Sequence, residues 1–296
     1  MDSSAEGVTG LDRHFACTQC GACCNRAPEL ELGEAEHYAD TFVLQLLMRI
    51  YSLPRVLVDY QTDLPHELAS AEYYETKRLL SQFAATSWPI KARREGQTID
   101  YVQYLSLSVL PLDLGAGTCP ALNGARCSIY ERRPLSCRSV PLHYSRPEAA
   151  AARALDAFTD TPGFLCATDT KAALIIANGK IVDRAIVDAR AAATAQATGD
   201  GAWKMALVKA MKAGAFGLPS PRTVEANAAQ GALTASMQGA WRIAEAAGKI
   251  KPGATNRLLT AQVKLIEQKL GRTSLSVQLG SSLADLHREY TGALAY

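Results

Sequence analysis

Apolar positions set out most of the chain's elements. Over 34–51, Tyr38, Phe42, Leu46 and Ile50 recur every four residues, backed by Val43 and Leu47, and this spacing predicts a helix that Pro54 ends. Glu31, Glu34 and Glu36 lie at its N-terminal side, where the helix dipole favours acids. A second helix is expected from Pro65 to Ala85, with Leu68, Tyr73, Leu80 and Phe83 facing inward and Trp88-Pro89 closing it. The run from Thr98 to Leu112 partly alternates and carries Ile99, Tyr101 and Val109, which predicts one or two strands. Gly115 and Gly117 make 114–118 a loop. From Cys119 to Tyr144, Pro120, Pro134 and Pro141 allow only short elements.

Residues 147–158 are Ala-rich and read as a short helix, and Thr161-Pro162-Gly163 as a turn. Leu174 to Ala177 followed by Asn178-Gly179 fits either a strand entering a tight hairpin or a helix stopped by glycine. Helices are expected over 181–197, 201–213 and 221–247. The clearest is 255–270, where Leu259, Val263, Ile266 and Leu270 form one stripe. A last helix from Ser282 to Tyr290 packs Leu283, Leu286 and Tyr290. The expected class is mainly α with a small β component (α+β). Its parts are a flexible lead-in (1–16), a cysteine-rich domain (17–170) and an Ala-rich helical region (171–296) that can belong to the same fold.

Composition narrows the function classes. The formal net charge of +2 gives no case for nucleic acid or an anionic membrane. No apolar run reaches the length of a membrane span. Residues 1–11 lack the basic start and apolar stretch of a secretory signal, so a cytoplasmic protein is expected. In a reducing compartment, eight cysteines point away from a disulfide framework.

Four of those thiols fall within Cys17-Thr18-Gln19-Cys20-Gly21-Ala22-Cys23-Cys24; the others are Cys119, Cys127, Cys137 and Cys166. Thiolates are soft ligands that suit zinc, iron and iron–sulfur clusters. Two residues between thiols let one tight turn aim both sulfurs at one centre, and Cys17, Cys20 and Cys23 reproduce the C-x2-C-x2-C part of a bacterial ferredoxin run. The match ends there, because Cys24 follows Cys23 directly. That doublet hints at two nearby centres, a larger cluster, or one ligand beside a spare thiol. The eight thiols divide as two four-thiolate sites or as one cluster plus a separate ion. His14 and His143 lie near cysteines but have ordinary hydrogen-bonding roles open to them. His37, His66 and His287 sit on expected helices.

Arg126, Arg132, Arg133, Arg138 and Arg146 form a positive stretch around the distal cysteines, suited to offsetting thiolate charge. Arg138, directly after Cys137, could serve that purpose or bind a cofactor or an anionic substrate. There is no H-E-x-x-H, P-loop, G-x-S-x-G or C-x3-C-x2-C.

The blocks CTQCGACC at 17–24, Cys119-Pro120-Ala121-Leu122, and CSIYERRPLSCR at 127–138 resemble the YkgJ-type cysteine-cluster proteins, a family of zinc- or iron-chelating domains with a CxxCxxCC signature. The resemblance covers about 15–170. It implies that Cys17, Cys20, Cys23, Cys24, Cys119, Cys127 and Cys137 hold metal, with Cys166 as a later family cysteine. Flagellin lysine N-methylases, linked with an iron–sulfur cluster, carry a related pattern whose spacing this chain does not reproduce. The leading expectation is a metal protein holding an iron–sulfur cluster (4Fe–4S favoured) or zinc or iron ions. The alternatives are a metal-dependent enzyme modifying a protein or peptide, and a structural zinc module whose C-terminal helices bind a protein or peptide partner.

Overall fold

The computed structural model describes residues 12–113, 118–227, 232–271 and 275–295. Of the described residues, 47% are helix and 20% strand, an α+β fold. The elements in chain order are β1 (Arg13–His14), α1 (Ala35–Tyr38), β2 (Leu44–Pro54), α2 (His66–Phe83), β3 (Thr86–Arg94), β4 (Gln97–Pro111), β5 (Leu122–Asn123), β6 (Arg126–Cys127), α3 (Leu135–Arg138) and α4 (Ala151–Thr159). They continue with β7 (Leu174–Ala177), β8 (Lys180–Ile181), α5 (Arg184–Gly199), α6 (Gly201–Ala213), α7 (Pro221–Ala226), β9 (Ala232–Ser236), α8 (Gln238–Ala246), α9 (Ala254–Leu270) and α10 (Val277–Leu294).

The main sheet is antiparallel with strand order β3-β4-β2-β9. Its central pair places Leu44, Leu46, Met48 and Ile50 opposite Pro111, Val109, Leu107 and Leu105. Successive strand residues face opposite sides, so these eight share one face. Leu44, Leu46, Met48, Leu105, Leu107 and Val109 are fully buried there, in one core with Trp203, Trp241, Leu259, Ile266, Leu283 and Tyr290. Buried polar groups lock the arrangement. The Gln262 side chain on α9 accepts from Leu44 N (2.8 Å) and donates to the carbonyls of Ala39 (2.6 Å) and Phe42 (2.8 Å). The Tyr290 hydroxyl donates to Leu44 O and accepts from Met237 N.

Two expected helices are corrected. Over 34–51 the helix is limited to α1, and 44–54 is strand β2. A spacing of four residues is one helical turn and also two strand repeats, so Leu46 and Ile50 share a face either way. Sheet pairing on both edges of β2 decides it. The expected 221–247 helix is interrupted by β9, which pairs with Gln45–Arg49 of β2 and satisfies backbone groups that an open edge would leave unpaired.

Elsewhere the pattern agrees with the structure. α2, β4, α4, α5, α6, α9 and α10 lie on their expected segments, although Leu68 on α2 is exposed rather than inward. Trp88-Pro89 lies inside β3, the strand that α2 feeds. Asn178 (φ +50°) and Gly179 (φ +75°) make the tight turn of the β7–β8 hairpin. Within the expected lead-in, Arg13–His14 pair with β7 and Phe15 is buried against Leu142, Leu155 and Ile176. The 114–118 loop falls largely outside the described residues. Among the described residues, no helix is long and apolar enough to cross a membrane.

Candidate metal centre

All eight cysteines are free thiols; Cys127 lies on β6, Cys137 on α3 and the others in turns and loops. The octet is a turn. Gln19 (φ +56°) and Gly21 (φ +76°) take left-handed backbone, and Cys24 N donates to Gly21 O at 2.9 Å. Gln19 N lies 3.4 Å from the Cys17 sulfur as a donor, the backbone-to-sulfur contact expected of such a turn. A Cβ on Gly21 would stand 2.7 Å from the carbonyl oxygen of Ala125, so glycine permits both the turn and its close approach to the β5–β6 hairpin.

The distal cysteines reach the octet by separate routes. Cys119 N donates to Cys24 O at 2.8 Å. Leu122 N returns to Cys119 O, Cys127 is the cross-strand partner of Leu122, and Ser128 N donates to Ala121 O. Cys137 sits on α3. Cys166 arrives from the other side through an antiparallel bridge between Ala16 and Ala167, whose two backbone bonds are 2.8 and 3.1 Å. Thr18 Oγ1 donates to Leu165 O at 2.8 Å, extending that register by one pair.

Two residues that first read as helix-start charges or core aromatics tie α3 in place. Glu34 is buried; its Oε1 accepts from Leu135 N at 2.9 Å and its Oε2 from Glu31 N at 3.1 Å. Tyr38 donates its hydroxyl to Arg132 O at 2.8 Å. A patterned sequence shows an acid near a helix start but not that its carboxylate caps a helix 101 residues onward. Glu31, also buried, accepts from the Tyr144 hydroxyl and lies 3.5 Å from Lys204 Nζ.

The thiols differ in protonation. A hydrogen bond from the Cys24 thiol brings Cys23 down to about 6, assisted by Arg133, and the same contact with burial pushes Cys24 up. Backbone donors at Ala22 and Leu165 lower Cys20. Burial raises Cys137 to about 12 and Cys166 to about 11, and it raises Cys119. The charges acting on Cys166 are those of Cys23, Cys17 and Cys20. Those acting on Cys24, besides Cys23, are Cys119 and Cys137, and Cys137 in turn feels Cys119 and Cys127.

Among the distal arginines, Arg133 is the one whose charge acts on Cys23 and Cys137; its guanidinium stacks 3.9 Å from the Tyr130 ring centroid. Arg138 acts instead on Glu34 and Tyr38. The two histidines near cysteines have other partners: His14 Nδ1 donates to Ala172 O (2.9 Å), and His143 Nδ1 lies 2.7 Å from Ser145 Oγ.

The donor set fits zinc or iron by chemistry, being soft, undisulfided and gathered from distant segments. Among the described residues, no three His, Cys, Asp or Glu side chains are already drawn to ion-holding separation. The thiols are neighbours whose side chains have yet to converge.

The sequence model of the CxxCxxCC family, described as "Putative zinc- or iron-chelating domain", matches residues 16–160. This part of the chain belongs to the CxxCxxCC family. The matched region contains the octet, both β5–β6 strands and α3, and ends shortly before Cys166. No curated protein and no solved structure matches the chain. Zinc or iron chelation is therefore the function that the family match indicates for residues 16–160.

Proposed function

We propose that the chain is a cytoplasmic metal protein that holds iron–sulfur, 4Fe–4S in type with four thiolates to a cluster, and that Cys17, Cys20, Cys23, Cys24, Cys119, Cys127, Cys137 and Cys166 are the thiols that supply its ligands. The observation carrying this reading is that backbone bonds set the octet beside Cys119 and beside the 165–167 segment, so that free thiols distant in sequence are carried on adjoining segments. The ferredoxin-like triplet and the thiolate-rich, oxygen-poor donor set favour iron–sulfur over a single zinc ion. Cys23 is predisposed to give up its proton, and Arg133 offsets the charge that thiolates bring. Thiols raised by burial, Cys119 and Cys137, release their protons when metal binds, so affinity rises with pH.

Anaerobic purification followed by iron, zinc and acid-labile sulfide analysis tests the reading. Iron and sulfide in comparable amounts, with absorption near about 400 nm, are expected of thiolate-ligated clusters. Zinc without sulfide replaces the cluster with zinc ions on the same ligands. A folded, metal-free chain that takes up neither metal ends the proposal.

A further inference from the structure

The geometry points to two separate four-thiolate centres: an outer one of Cys17, Cys20, Cys23 and Cys166, and an inner one of Cys24, Cys119, Cys127 and Cys137. The inference rests on the metal-chelating reading above and says how the eight ligands divide.

Backbone pairing sets Cys17 and Cys166 on one side and Cys24, Cys119 and Cys127 on the other. Ala16 opposite Ala167 in an antiparallel bridge puts Cys17 opposite Cys166, and Thr18 bonded to Leu165 continues the register. Side chains of directly opposed residues on an antiparallel pair stand about 4.5–5.5 Å apart at Cβ. Cys166 is thereby delivered to the first thiol of the octet. On the other side, Cys24 is the octet residue whose carbonyl takes the Cys119 N–H, and the Leu122–Cys127 pair brings Cys127 back beside Cys119. The electrostatic neighbours fall into the same two sets, with the Cys23–Cys24 contact as the seam between them.

Packing divides them again. Cys119 belongs to the main core, with Cys24 and Cys127 against it, whereas Cys166 packs on the small cluster around Phe15 and Leu155. Cys17 is exposed and Cys119 is buried. The inner centre therefore ties the end of the octet to the sheet-and-helix body. The outer one is open to solvent and is the centre that exchanges metal or meets a reactant. The doublet serves both centres because neighbouring residues can send their side chains to different sides.

The test uses full-length, metal-loaded protein and reads metal per chain together with iodoacetamide labelling located by mass spectrometry. The Cys17→Ser, Cys166→Ser double variant is expected to stay folded and lose part of its metal. Its Cys20 and Cys23 should become labelled more than tenfold faster, while Cys24, Cys119, Cys127 and Cys137 stay protected. Cys127→Ser is expected to release Cys24, Cys119 and Cys137 instead; if it fails to fold, the outer variant decides alone. Loss of all metal from a folded outer variant, or release of Cys24 with Cys20, means one shared centre and overturns the division. A wild-type chain that binds no metal overturns the chelating reading itself, which is a different result.

Discussion

The sheet-and-helix body and the thiol-bearing segments are held together by different means. In the body, two central strands and the helices α6, α8, α9 and α10 bury a continuous apolar core, with Trp203 and Trp241 almost wholly enclosed. Around the thiols the elements are two to four residues long; Cys119 and Ala121 reach the main core, but Cys166 and α3 rest on small clusters such as Phe15, Leu142 and Leu155 or Leu135, Tyr144 and Ala193. Short elements cannot bury enough surface to offset their own ordering. On the proposed reading, cross-links through metal would supply what packing does not, and polar ties such as Glu34 to Leu135 N set the segments in position beforehand.

The sharpest way to break this contrast is to damage each region and ask whether the other follows. Trp241→Ala removes the largest kind of side chain from a fully buried site and should cost about 3–5 kcal/mol in denaturant unfolding, with the whole chain affected. Metal removal should act locally. Hydrogen exchange at 16–27 and 119–139 is expected to quicken about 100-fold, equivalent to about 2.7 kcal/mol, while β2 and β4 keep their protection. Equal loss in both regions would mean that the metal supports the body as well.

His143 offers a pH-dependent version. Burial, with Arg146 and Arg190 nearby, lowers it from 6.5 to about 4, against the opposing pull of Glu29. The folded chain then binds fewer protons than the unfolded chain between those values, so stability falls as pH drops from 6.5 towards 4. Discounted for partial exposure, the loss attributable to His143 is about 2 kcal/mol. It should appear as a steeper acid decline in the wild type than in His143→Phe, measured by urea unfolding across that range; parallel curves would remove His143 from the account. The smallest expected effect is Glu34→Ala. It leaves Leu135 N without its acceptor and should cost about 1–2 kcal/mol. Faster exchange should be confined to 133–139 and to 31–34, where Glu34 also accepts from Glu31 N. A change spread through α9 or α10 would show that Glu34 holds more than α3.

Much of the helical content was legible because stripes such as Leu259 and Ile266 on α9 have one reading. β2 and β9 were not legible. The four-residue spacing of Leu46 and Ile50 satisfies two periods, and the alanines of 232–236 favour no strand by themselves. The cysteine blocks pointed to metal binding because dense C-x2-C spacing has few other uses, and residues 16–160 match a family described as a zinc- or iron-chelating domain. Arg138 drew attention by adjacency to Cys137, yet the structure gives the thiols Arg133, since adjacency in sequence does not set the direction of a long side chain.

The sequence by itself determined the ligand chemistry: eight thiols, four within one octet, on a chain with little net charge. Only the tertiary structure decided which thiols are neighbours. Cys17 lies beside Cys166 and Cys24 beside Cys119 because backbone hydrogen bonds between distant segments bring them there. Such pairing leaves no periodicity along the chain, and it forms only when the rest of the fold has brought the two segments together.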